Sequence, residues 1–516
     1  MSFRLHNTAT RTVEEFVPLE RGVVRMYVCG PNLYGPAHVG HGFSYAFFDV
    51  LRRYLEYRGH RVLHVQNFTD IEDRIIERAT REGRGVAEIA QEYVDRFFRE
   101  IDALGVRRAD YYPRASETIP KIVEIIAGLI ARGHAYRVNG DVYFRVSSFP
   151  RYLRLSGRSL EEMQAGARID PDPRKEHPMD FVLWKAAKAG EPSWPSPWGP
   201  GRPGWHIECS AMILQYLGEQ IDIHGGGEDL VFPHHENEVA QSEAFTGRMP
   251  FVRYWLHNAL MKPPVGEEMH RHLGNFVSLQ DALRQYSADA IRLFYLSAHY
   301  RTPVRWTDEA LRASTRGLER LRTALTNAEE AIARTSDRED AGLTEPARRA
   351  REAFEAAMDD DVNTPQAVAA LFTLAAEINR VADGALKGSG QGRAGLWVAS
   401  DTLRDLAQVL GLSLQRPGVT ARLVPALQAV LADVRTHAAE LFPEPASTAD
   451  PEHLIRTLLA GRERARARHA YDVADRVRAR LGELGILVED LPTGPRWRVA
   501  SPDGREPSPD ARQPRP

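Results

Sequence analysis

The first third of the chain alternates between short apolar runs and amphipathic stretches. The run RMYVCG, at residues 25–30, ends in glycine, and the amphipathic stretch FSYAFFDVLRRYLEYRG follows after a loop. A second apolar run, HRVLHVQNF at residues 60–68, precedes the amphipathic stretch IEDRIIERATREG. Strand-like runs that alternate with helix-like stretches predict a right-handed β-α-β unit and a parallel sheet. The fold class at this end of the chain is therefore predicted to be α/β.

The pattern changes twice further along the chain. Segment 116–137 is amphipathic and segment 169–204 is rich in proline, glycine and tryptophan, which indicates an insertion into the sheet domain. The strand-like run QIDIHGGGEDLVF then returns the chain to the sheet, and a helix is predicted to begin at Pro233, since proline suits the first helical turn. Beyond about Ala282 the pattern is almost wholly helical, and the proline-rich, polar tail 501–516 is predicted to be disordered.

Length and composition limit the classes of protein that the sequence can encode. A chain of 516 residues predicts three or four folding units, and a net charge of -3 excludes a strong overall attraction to nucleic acid or membrane. Any basic surface must therefore be local. The N-terminal stretch MSFRLHNTATRTVEEF lacks the apolar segment of a signal peptide, and no run of about 18 apolar residues occurs. These features predict a cytoplasmic enzyme with no membrane contact.

The chain contains only two cysteines, Cys29 and Cys209, which excludes a disulfide framework. The segments GWHIECSAM and HGGGEDLVFPHHENEVAQSEA bring together several further residues that can bind metals. These are His224, His234, His235, Glu236 and Glu238. His234 and Glu238 are four residues apart on a predicted helix, so with both cysteines they form a candidate tetrahedral zinc site. The alternative is two buried structural cysteines beside a polar helix start.

The loop HVGH places His38 and His41 between a predicted strand and the first turn of a helix. A helix N-terminus offers backbone N–H groups and the positive end of the helix dipole, so two imidazoles there could bind an α-phosphate. The motif is weak by itself, and two surface loop histidines are the alternative. The triple glycine at 225–227 allows close approach to a ligand, or forms only a tight turn.

The chain resembles the cysteinyl-tRNA synthetases, class I enzymes of the HIGH-motif group, in six segments. They are MYVCGPNLYGPAHVGH, NFTDIEDRIIERA, LSGRSLEEMQAGARID, DFVLWK, GRPGWHIECSAM and DIHGGGEDLVFPHHENEVAQSEA. The resemblance continues through AMDDDVNTPQAVAALF to YDVADRVRARLGELGILVEDLPTGPRWR, so it covers nearly the whole chain up to about Val499. It implies that ATP, with Mg²⁺, activates L-cysteine to cysteinyl-adenylate, and that the cysteinyl group is then transferred to tRNA(Cys).

The resemblance also implies the residues that recognise cysteine. It implies one Zn²⁺ per chain, bound by Cys29, Cys209, His234 and Glu238. The substrate thiolate would be a further zinc ligand, and because zinc prefers a thiolate to a hydroxyl, serine would be rejected without an editing domain. Thr69, Trp205 and His224 match positions that line the amino-acid pocket of the family. Ordinary packing in the core or in a loop is the alternative for these three residues.

The stretch EEMHRHLGNF departs from the family, which carries Lys-Met-Ser-Lys-Ser at the positions of residues 268–272. Met269 is retained, Arg271 replaces the second lysine and keeps its positive charge, and Glu268 reverses the charge of the first. Loss of one phosphate-directed cation typically costs a few kcal/mol of transition-state stabilisation, so a slower activation step is expected. By resemblance, the catalytic residues are His38, His41 and Arg271, and the ATP-binding residues are Gly40, His41, Met269 and Arg271.

Pattern and resemblance together predict a Rossmann-like parallel-sheet catalytic domain with an inserted connective domain, followed by an α-helical C-terminal tRNA-binding region. The predicted segments are 1–115 (catalytic, first half), 116–204 (connective), 205–265 (catalytic, second half), 266–330 (altered loop and stem-contact helices), 331–445 (helical bundle), 446–500 (anticodon binding) and 501–516 (disordered tail). The resemblance also implies a monomer, since no exposed heptad pattern demands a dimer.

The altered loop keeps a second function open. A paralogue could activate cysteine and ligate it to a small amine acceptor, or the chain could be an inactive binding homologue. Against both, the C-terminal stretch GRERARARHAYDVADRVRAR persists, with seven arginines against three acids between Gly461 and Arg480. A basic helix near Trp497 suits contacts with an RNA backbone, although a solvated charged helix has the same composition.

Overall fold

The computed structural model describes residues 2–159, 173–264, 266, 276–335, 340–385, 392–414, 423–443, 451–491 and 494–499. The chain forms two compact units, which are Met1–Leu414 (unit 1) and Gln415–Pro516 (unit 2). Among the helices of the described residues, none is both long enough and apolar enough to cross a membrane.

The N-terminal part of unit 1 forms a hairpin followed by a β-α-β unit. Its elements are β1 (Arg4–Asn7), β2 (Thr12–Glu15), β3 (Val23–Val28), α1 (Val39–Tyr57), β4 (Arg61–Gln66), α2 (Asp73–Glu82) and α3 (Val86–Ala103). Strands β3 and β4 are parallel and α1 connects them, as the periodicity predicts. Phe43, Phe47 and Leu51 on α1 are buried, because the apolar positions recur at helical spacing.

The connecting segment forms a helix and a separate antiparallel sheet. Its elements are α4 (Ile119–Ala131), β5 (Ala135–Val138), β6 (Asp141–Phe144), β7 (Phe181–Ala186) and β8 (Gly201–Pro203), and the strand order is β5-β6-β7-β8. The helix is shorter than predicted from segment 116–137, since the residues from Ala135 onward pair in β5. The proline-rich composition of segment 169–204 did not reveal β7 and β8, whose partners are their neighbours in this sheet.

The chain then completes the parallel sheet. The elements are α5 (Trp205–Tyr216), β9 (Ile221–Gly227), α6 (Glu236–Thr246), β10 (Val252–Asn258) and β11 (Met261–Lys262). The order β10-β9-β3-β4 places β3 between β4 and β9, all parallel. The predicted α/β fold with a Rossmann-like parallel sheet is therefore confirmed. Helix α6 begins at Glu236 and not at the predicted Pro233, because Val231–His235 forms an irregular wide turn in which Phe232 is extended, with φ -138° and ψ 132°.

Where it is described, the chain from 276 to 414 is helical apart from loops and one short strand, as predicted. The elements are α7 (Leu279–Gln285), α8 (Ala288–Leu296), β12 (Val304–Arg305), α9 (Asp308–Arg334), α10 (Thr344–Asp359), α11 (Thr364–Gly384) and α12 (Arg393–Val409). Strand β12 pairs in parallel with β11. One hydrophobic cluster contains side chains of β3, α1 and the bundle helices, including Val24, Phe47 and Leu371.

A buried ion pair joins α1 to α8 and to the end of α12. Arg292 donates through Nη2 to Asp49 Oδ2 at 2.7 Å and to the Leu410 carbonyl at 3.0 Å. Both charged side chains are almost fully buried, so each depends on the other for compensation. Gly411 adopts a φ of 70° beside this pair, and a Cβ at this position would lie 1.9 Å from Arg292 Nη2. Glycine is therefore required here by both its φ angle and the lack of space.

Unit 2 is a small helical module with a hairpin. Its elements are α13 (Val424–Ala438), α14 (Pro451–Ala467), α15 (Tyr471–Glu483), β13 (Ile486–Leu491) and β14 (Gly494–Val499). Leu427, Phe442 and Leu458 lie in its core. The largely buried Arg462 donates to both oxygens of Asp490, at 2.6 and 2.8 Å, so one arginine of the basic stretch stabilises the unit itself.

Candidate metal centre and substrate site

The four predicted metal ligands converge at the carboxyl ends of two neighbouring strands. Cys29 directly follows β3, Cys209 lies in α5, and His234 and Glu238 lie on either side of the start of α6. One ligand atom from each residue lies within 4.8 Å of the others, and all four side chains are buried. The parallel pairing of β3 with β9 brings these distant segments together.

The donor set fits a zinc ion. Two sulfur atoms, one imidazole nitrogen and one carboxylate oxygen are ligands that zinc accepts in tetrahedral sites. Zinc–ligand bonds of 2.0–2.3 Å imply separations of roughly 3.3–3.8 Å between the ligand atoms, so only small shifts are needed. A second set, Cys29, His224, His235 and Glu238, also has ligand atoms within 4.8 Å. This second set shares two residues with the first, so one ion would occupy either set but not both.

The charges of the four residues depend on one another. A hydrogen bond with Cys29 lowers the pKa of the Cys209 thiol to about 6, whereas burial raises the pKa of Cys29. Burial favours a neutral Glu238, but His224 and His234 outweigh that effect and lower its pKa to about 2. Burial likewise disfavours a charged His234, yet Cys209 and Glu238 raise its pKa to about 10. Cys209, His234 and Glu238 therefore stabilise one another's charged forms, so zinc binding and proton binding at this centre are expected to be linked.

A chain of hydrogen bonds behind the metal ligands is absent from the sequence prediction. Cys29 Sγ lies 3.3 Å from His235 Nε2, His235 Nδ1 lies 2.7 Å from His257 Nε2, and His257 Nδ1 lies 2.8 Å from Thr8 Oγ1. If the Thr8 hydroxyl donates to His257 Nδ1, then His257 can donate through Nε2 to His235 Nδ1. His235 can in turn donate through Nε2 to the sulfur of Cys29. A hydrogen bond to a ligating sulfur orients that ligand.

The predicted amino-acid pocket surrounds the metal ligands unevenly. The Trp205 ring stacks on His234, with ring centroids 4.3 Å apart. His224 is fully buried, and its Nε2 lies 2.9 Å from Glu238 Oε2, so it contacts a metal ligand. Thr69 is buried in the loop after β4. It forms an isolated parallel β-bridge with Asn32 in the loop after β3. The structure therefore brings Trp205 and His224 to the metal ligands and Thr69 to the neighbouring loop.

The histidines of the predicted phosphate loop cap α1. His38 Nδ1 accepts hydrogen bonds from the backbone N–H groups of Gly40 at 3.1 Å and His41 at 3.3 Å, and the His38 N–H donates to His41 Nδ1 at 3.3 Å. The two rings stack, with centroids 3.8 Å apart. These two N–H groups are therefore engaged by a side chain, and phosphate binding by the two imidazoles stays a prediction. A Cβ at Gly40 would lie 2.9 Å from the His38 ring.

The other predicted ATP-site residues, Met269 and Arg271, lie outside the described residues. The chain is described again at Phe276, whose ring lies edge-on to His38 with centroids 5.7 Å apart. Ser278 forms an isolated antiparallel bridge with His38. The segment that follows the altered loop therefore lies directly against the histidine loop.

Three family profiles match successive parts of the chain. The profile described as the tRNA synthetases class I (C) catalytic domain matches residues 15–316. A DALR domain matches 353–415, and the cysteinyl-tRNA ligase anticodon binding domain matches 454–498.

Full-length relatives and solved structures agree with these profiles. A cysteine–tRNA ligase of Dehalococcoides mccartyi is 46% identical over 96% of this chain and 99% of the relative. One of Symbiobacterium thermophilum is 48% identical over 97% of this chain and 100% of the relative. The methionyl-tRNA synthetase of Mycobacterium tuberculosis with methionyl-adenylate has a similar fold, with a TM-score of 0.59, 16% identity and coverage of 76% of this chain and 91% of that one.

Proposed function

Since the chain belongs to the cysteine–tRNA ligases, a family of class I aminoacyl-tRNA synthetases, we propose that it activates L-cysteine with ATP and transfers the cysteinyl group to tRNA(Cys). The carboxylate of cysteine attacks the α-phosphate of ATP, which gives cysteinyl-adenylate and pyrophosphate. A hydroxyl of the terminal adenosine of tRNA then displaces AMP. The observation that carries the proposal is the convergence of two thiols, an imidazole and a carboxylate in a chain whose full length matches these ligases.

Cysteine selection is proposed to depend on Cys29, Cys209, His234 and Glu238. A zinc ion bound by these residues would supply a Lewis acid that binds the substrate thiolate. The support is the donor set and its burial, which excludes water from competing for the ion. His224, which is buried against Glu238, would hold that carboxylate in place rather than contact the amino acid.

The remaining pocket residues would orient the amino acid. Trp205 stacks on His234, so its ring forms a wall beside the metal ligand. The Thr69 hydroxyl accepts a hydrogen bond from Asn67 Nδ2 at 3.2 Å, and it also interacts with the buried carboxyl of Glu208, so Thr69 would line the pocket with its orientation fixed by two neighbours. These positions support a pocket that holds the thiol at one end and the reacting carboxylate towards the ATP site.

ATP, bound with Mg²⁺, is proposed to contact the loop that contains His38, Gly40 and His41. Because the first backbone N–H groups of α1 are engaged by His38, the phosphate contacts are assigned to the two imidazoles. Arg271 is assigned to the pyrophosphate leaving group from the sequence alone, and Met269 to the same site. The family role of the altered loop supports these two assignments.

Unit 2 is proposed to bind the anticodon of tRNA(Cys). Its part 454–498 matches the anticodon binding domain of cysteinyl-tRNA ligases. The basic helices α14 and α15 belong to this part, so phosphate contacts would be electrostatic and sensitive to salt. We further propose that the enzyme acts as a monomer in the cytoplasm, where ATP, cysteine and tRNA are available.

Two assays test the proposal and separate it from the alternative. ATP–pyrophosphate exchange with cysteine, in the absence of tRNA, measures activation. Charging of tRNA(Cys) with labelled cysteine measures transfer. We expect both activities, with cysteine preferred to serine by roughly 10⁴-fold or more. Exchange without charging would favour a ligase that uses a small amine acceptor, and the absence of both activities would favour a binding homologue.

A further inference from the structure

Helix α3 lies beneath the loop that contains His38 and His41. A cavity of about 10 Å³ separates them, and its lining includes Pro31 and Ala37 from the loop, His41 from α1, and Arg96 and Glu100 from α3. This is about the volume that one water molecule needs. The cavity therefore lies next to the proposed phosphate site, between His41 and helix α3.

Glu100 is a buried carboxyl group with few ways to satisfy its charge. It is 4% exposed, and its Oε1 accepts a hydrogen bond from Arg96 Nε at 2.7 Å. Burial raises the pKa of Glu100, while Arg96 and the backbone N–H of Ala37 oppose that rise. Glu100 lines the same cavity as Ala37, the residue directly before His38, and Arg96 stabilises its charged form.

Arg96 also contacts the other side of the proposed ATP site. Its Nη2 donates to Gln280 Oε1 at 3.0 Å. Gln280 belongs to α7, which begins at Leu279. The description of the chain resumes at residue 276, after the altered loop, so α7 follows that loop closely. Backbone hydrogen bonds join the same two segments, from Leu279 N to the Ala37 carbonyl at 2.9 Å and from Val39 N to the Val277 carbonyl at 3.1 Å.

We propose that Arg96 and Glu100 are positioning residues for ATP, which hold the histidine loop and the segment after the altered loop at a fixed separation. One guanidinium bonds to both sides, with Glu100 on its Nε and Gln280 on its Nη2. The two segments must be held together when the α-phosphate is attacked, because catalysis by charge stabilisation depends on donors that are already in place. The inference rests on the proposed function only in that ATP is the ligand.

The test compares Arg96→Ala with Arg99→Ala, an exposed arginine on the same helix. We expect Arg96→Ala to raise the KM for ATP or lower kcat in pyrophosphate exchange, with kcat/KM for ATP falling by roughly 10- to 100-fold. The KM for cysteine should change less than twofold and the zinc content should not change, because the metal ligands are on other segments. Arg99→Ala should behave as wild type.

Two additional variants define the role more sharply. Arg96→Lys keeps the charge but lacks the planar fork, so it should recover only part of the loss. Glu100→Gln should reproduce much of the Arg96→Ala effect, and the double variant should be less than additive, as expected for one unit.

Isothermal titration calorimetry with ATP gives a readout that needs neither cysteine nor tRNA. If the wild-type protein binds ATP but shows no cysteine-dependent pyrophosphate exchange, the proposed function is overturned. The weaker ATP binding expected of Arg96→Ala can be measured in that case too. Equal ATP affinity and equal kcat/KM in Arg96→Ala and Arg99→Ala would overturn the inference, as would equal increases in the KM values for ATP and cysteine.

Discussion

Three of the four proposed metal ligands each contact a side chain that limits their orientation. Trp205 stacks on His234, His224 contacts Glu238, and His235 contacts Cys29. Such contacts reduce the rotamers open to a ligand and prepare the centre for an ion before it arrives. The chemistry of individual residues therefore gives the first predictions.

Replacement of a ligating thiol should remove the metal. We expect Cys209→Ala to lose most of the bound zinc and to lower cysteine-dependent pyrophosphate exchange by at least about 100-fold, since three ligands remain where four-ligand binding is required. Metal analysis of purified protein gives the first number and the exchange assay the second. Ser242→Ala is the control, because it removes a buried hydroxyl on α6 that lacks a hydrogen-bond partner within the described residues. Full zinc retention in Cys209→Ala would overturn the assignment of Cys209 as a ligand, and would be the result expected if the ion were bound by the second set, Cys29, His224, His235 and Glu238.

The altered loop gives a prediction that depends on sequence alone. If Arg271 replaces the missing lysine, Arg271→Ala should slow adenylate formation by roughly 10- to 1000-fold and leave zinc content unchanged. Glu268→Lys should accelerate exchange, because it restores a positive charge that the family carries. Single-turnover adenylate formation measures both effects. An unchanged rate in Arg271→Ala would remove this loop from the catalytic site even if tRNA is charged.

A buried histidine predicts how stability depends on pH. Burial lowers the pKa of His64 from 6.5 to about 3 in the folded chain. The unfolded chain therefore binds a proton that the folded chain excludes, so the contribution of His64 to stability is complete above pH 6.5 and declines as the pH falls towards 3. At pH 5 the decline is about 2 kcal/mol.

The measurement for His64 is the free energy of unfolding at pH 7 and pH 5. His64→Leu should lose less stability than wild type between these two values, by about 2 kcal/mol. His437→Leu replaces an exposed histidine of unit 2 and should follow wild type. An equal loss of stability in His64→Leu and wild type would mean that His64 accepts a proton in the folded chain.

At the scale of helices and strands, a buried ion pair joins α1 to α8, and its guanidinium also bonds the end of α12. Gly411→Ala should destabilise the protein by about 3 kcal/mol, because it strains the backbone and displaces the guanidinium of Arg292 from its partners. Gly59→Ala is the matched control, with a φ of 87° but no atom within 4 Å of an added Cβ, and should cost about 1 kcal/mol. Urea unfolding measures both values. Equal losses would show that the ion pair adjusts without penalty.

The elements that sequence analysis recovered are those whose pattern is local. Helix α1 and strands β3 and β4 follow from apolar spacing within one segment, and the crossover through α1 is what a parallel pairing of the two strands requires. Strands β7 and β8 were not predicted, because the composition of segment 169–204 does not indicate a strand. Pairing with neighbouring strands of the antiparallel sheet stabilises them. The start of α6 was placed three residues early, because proline suits both a first helical turn and the wide turn that precedes this helix.

The same distinction applies to the candidate site. The convergence of Cys29, Cys209, His234 and Glu238 could be predicted, because two thiols, an imidazole and a carboxylate form a donor set that zinc accepts; metal binding by them stays a prediction. Thr8 and His257 could not, since a threonine in a turn and a histidine in an apolar strand carry no signal of their own. Their role appears only when β10 lies beside the N-terminal hairpin, where Thr8 N donates to the Trp255 carbonyl at 2.9 Å.

At the scale of the whole molecule, catalysis and anticodon binding are proposed for different parts of the chain. The catalytic profile matches residues 15–316 and the anticodon binding profile 454–498, in unit 1 and unit 2 respectively. A protein that ends at Leu414 should therefore retain cysteine-dependent exchange within about threefold, while tRNA charging at low tRNA concentration falls by at least about 100-fold, since contacts with RNA phosphates are lost. A tRNA-charging rate equal to that of the full chain would show that unit 2 is not needed for recognition.

The strand order of the parallel sheet has a consequence for synthesis on the ribosome. Strand β3 acquires one partner, β4, as soon as the first β-α-β unit has emerged, but its other partner, β9, follows only after the whole antiparallel sheet. Until then the nascent chain exposes the edge of β3 that later pairs with β9, and Cys29 lacks the other three proposed ligands. Long-range parallel pairing forms slowly, and a chain with an exposed strand edge is prone to aggregate. Chaperone dependence should therefore be greatest for chains arrested before residue 221, and the metal can bind with all four ligands only after residue 238 has emerged.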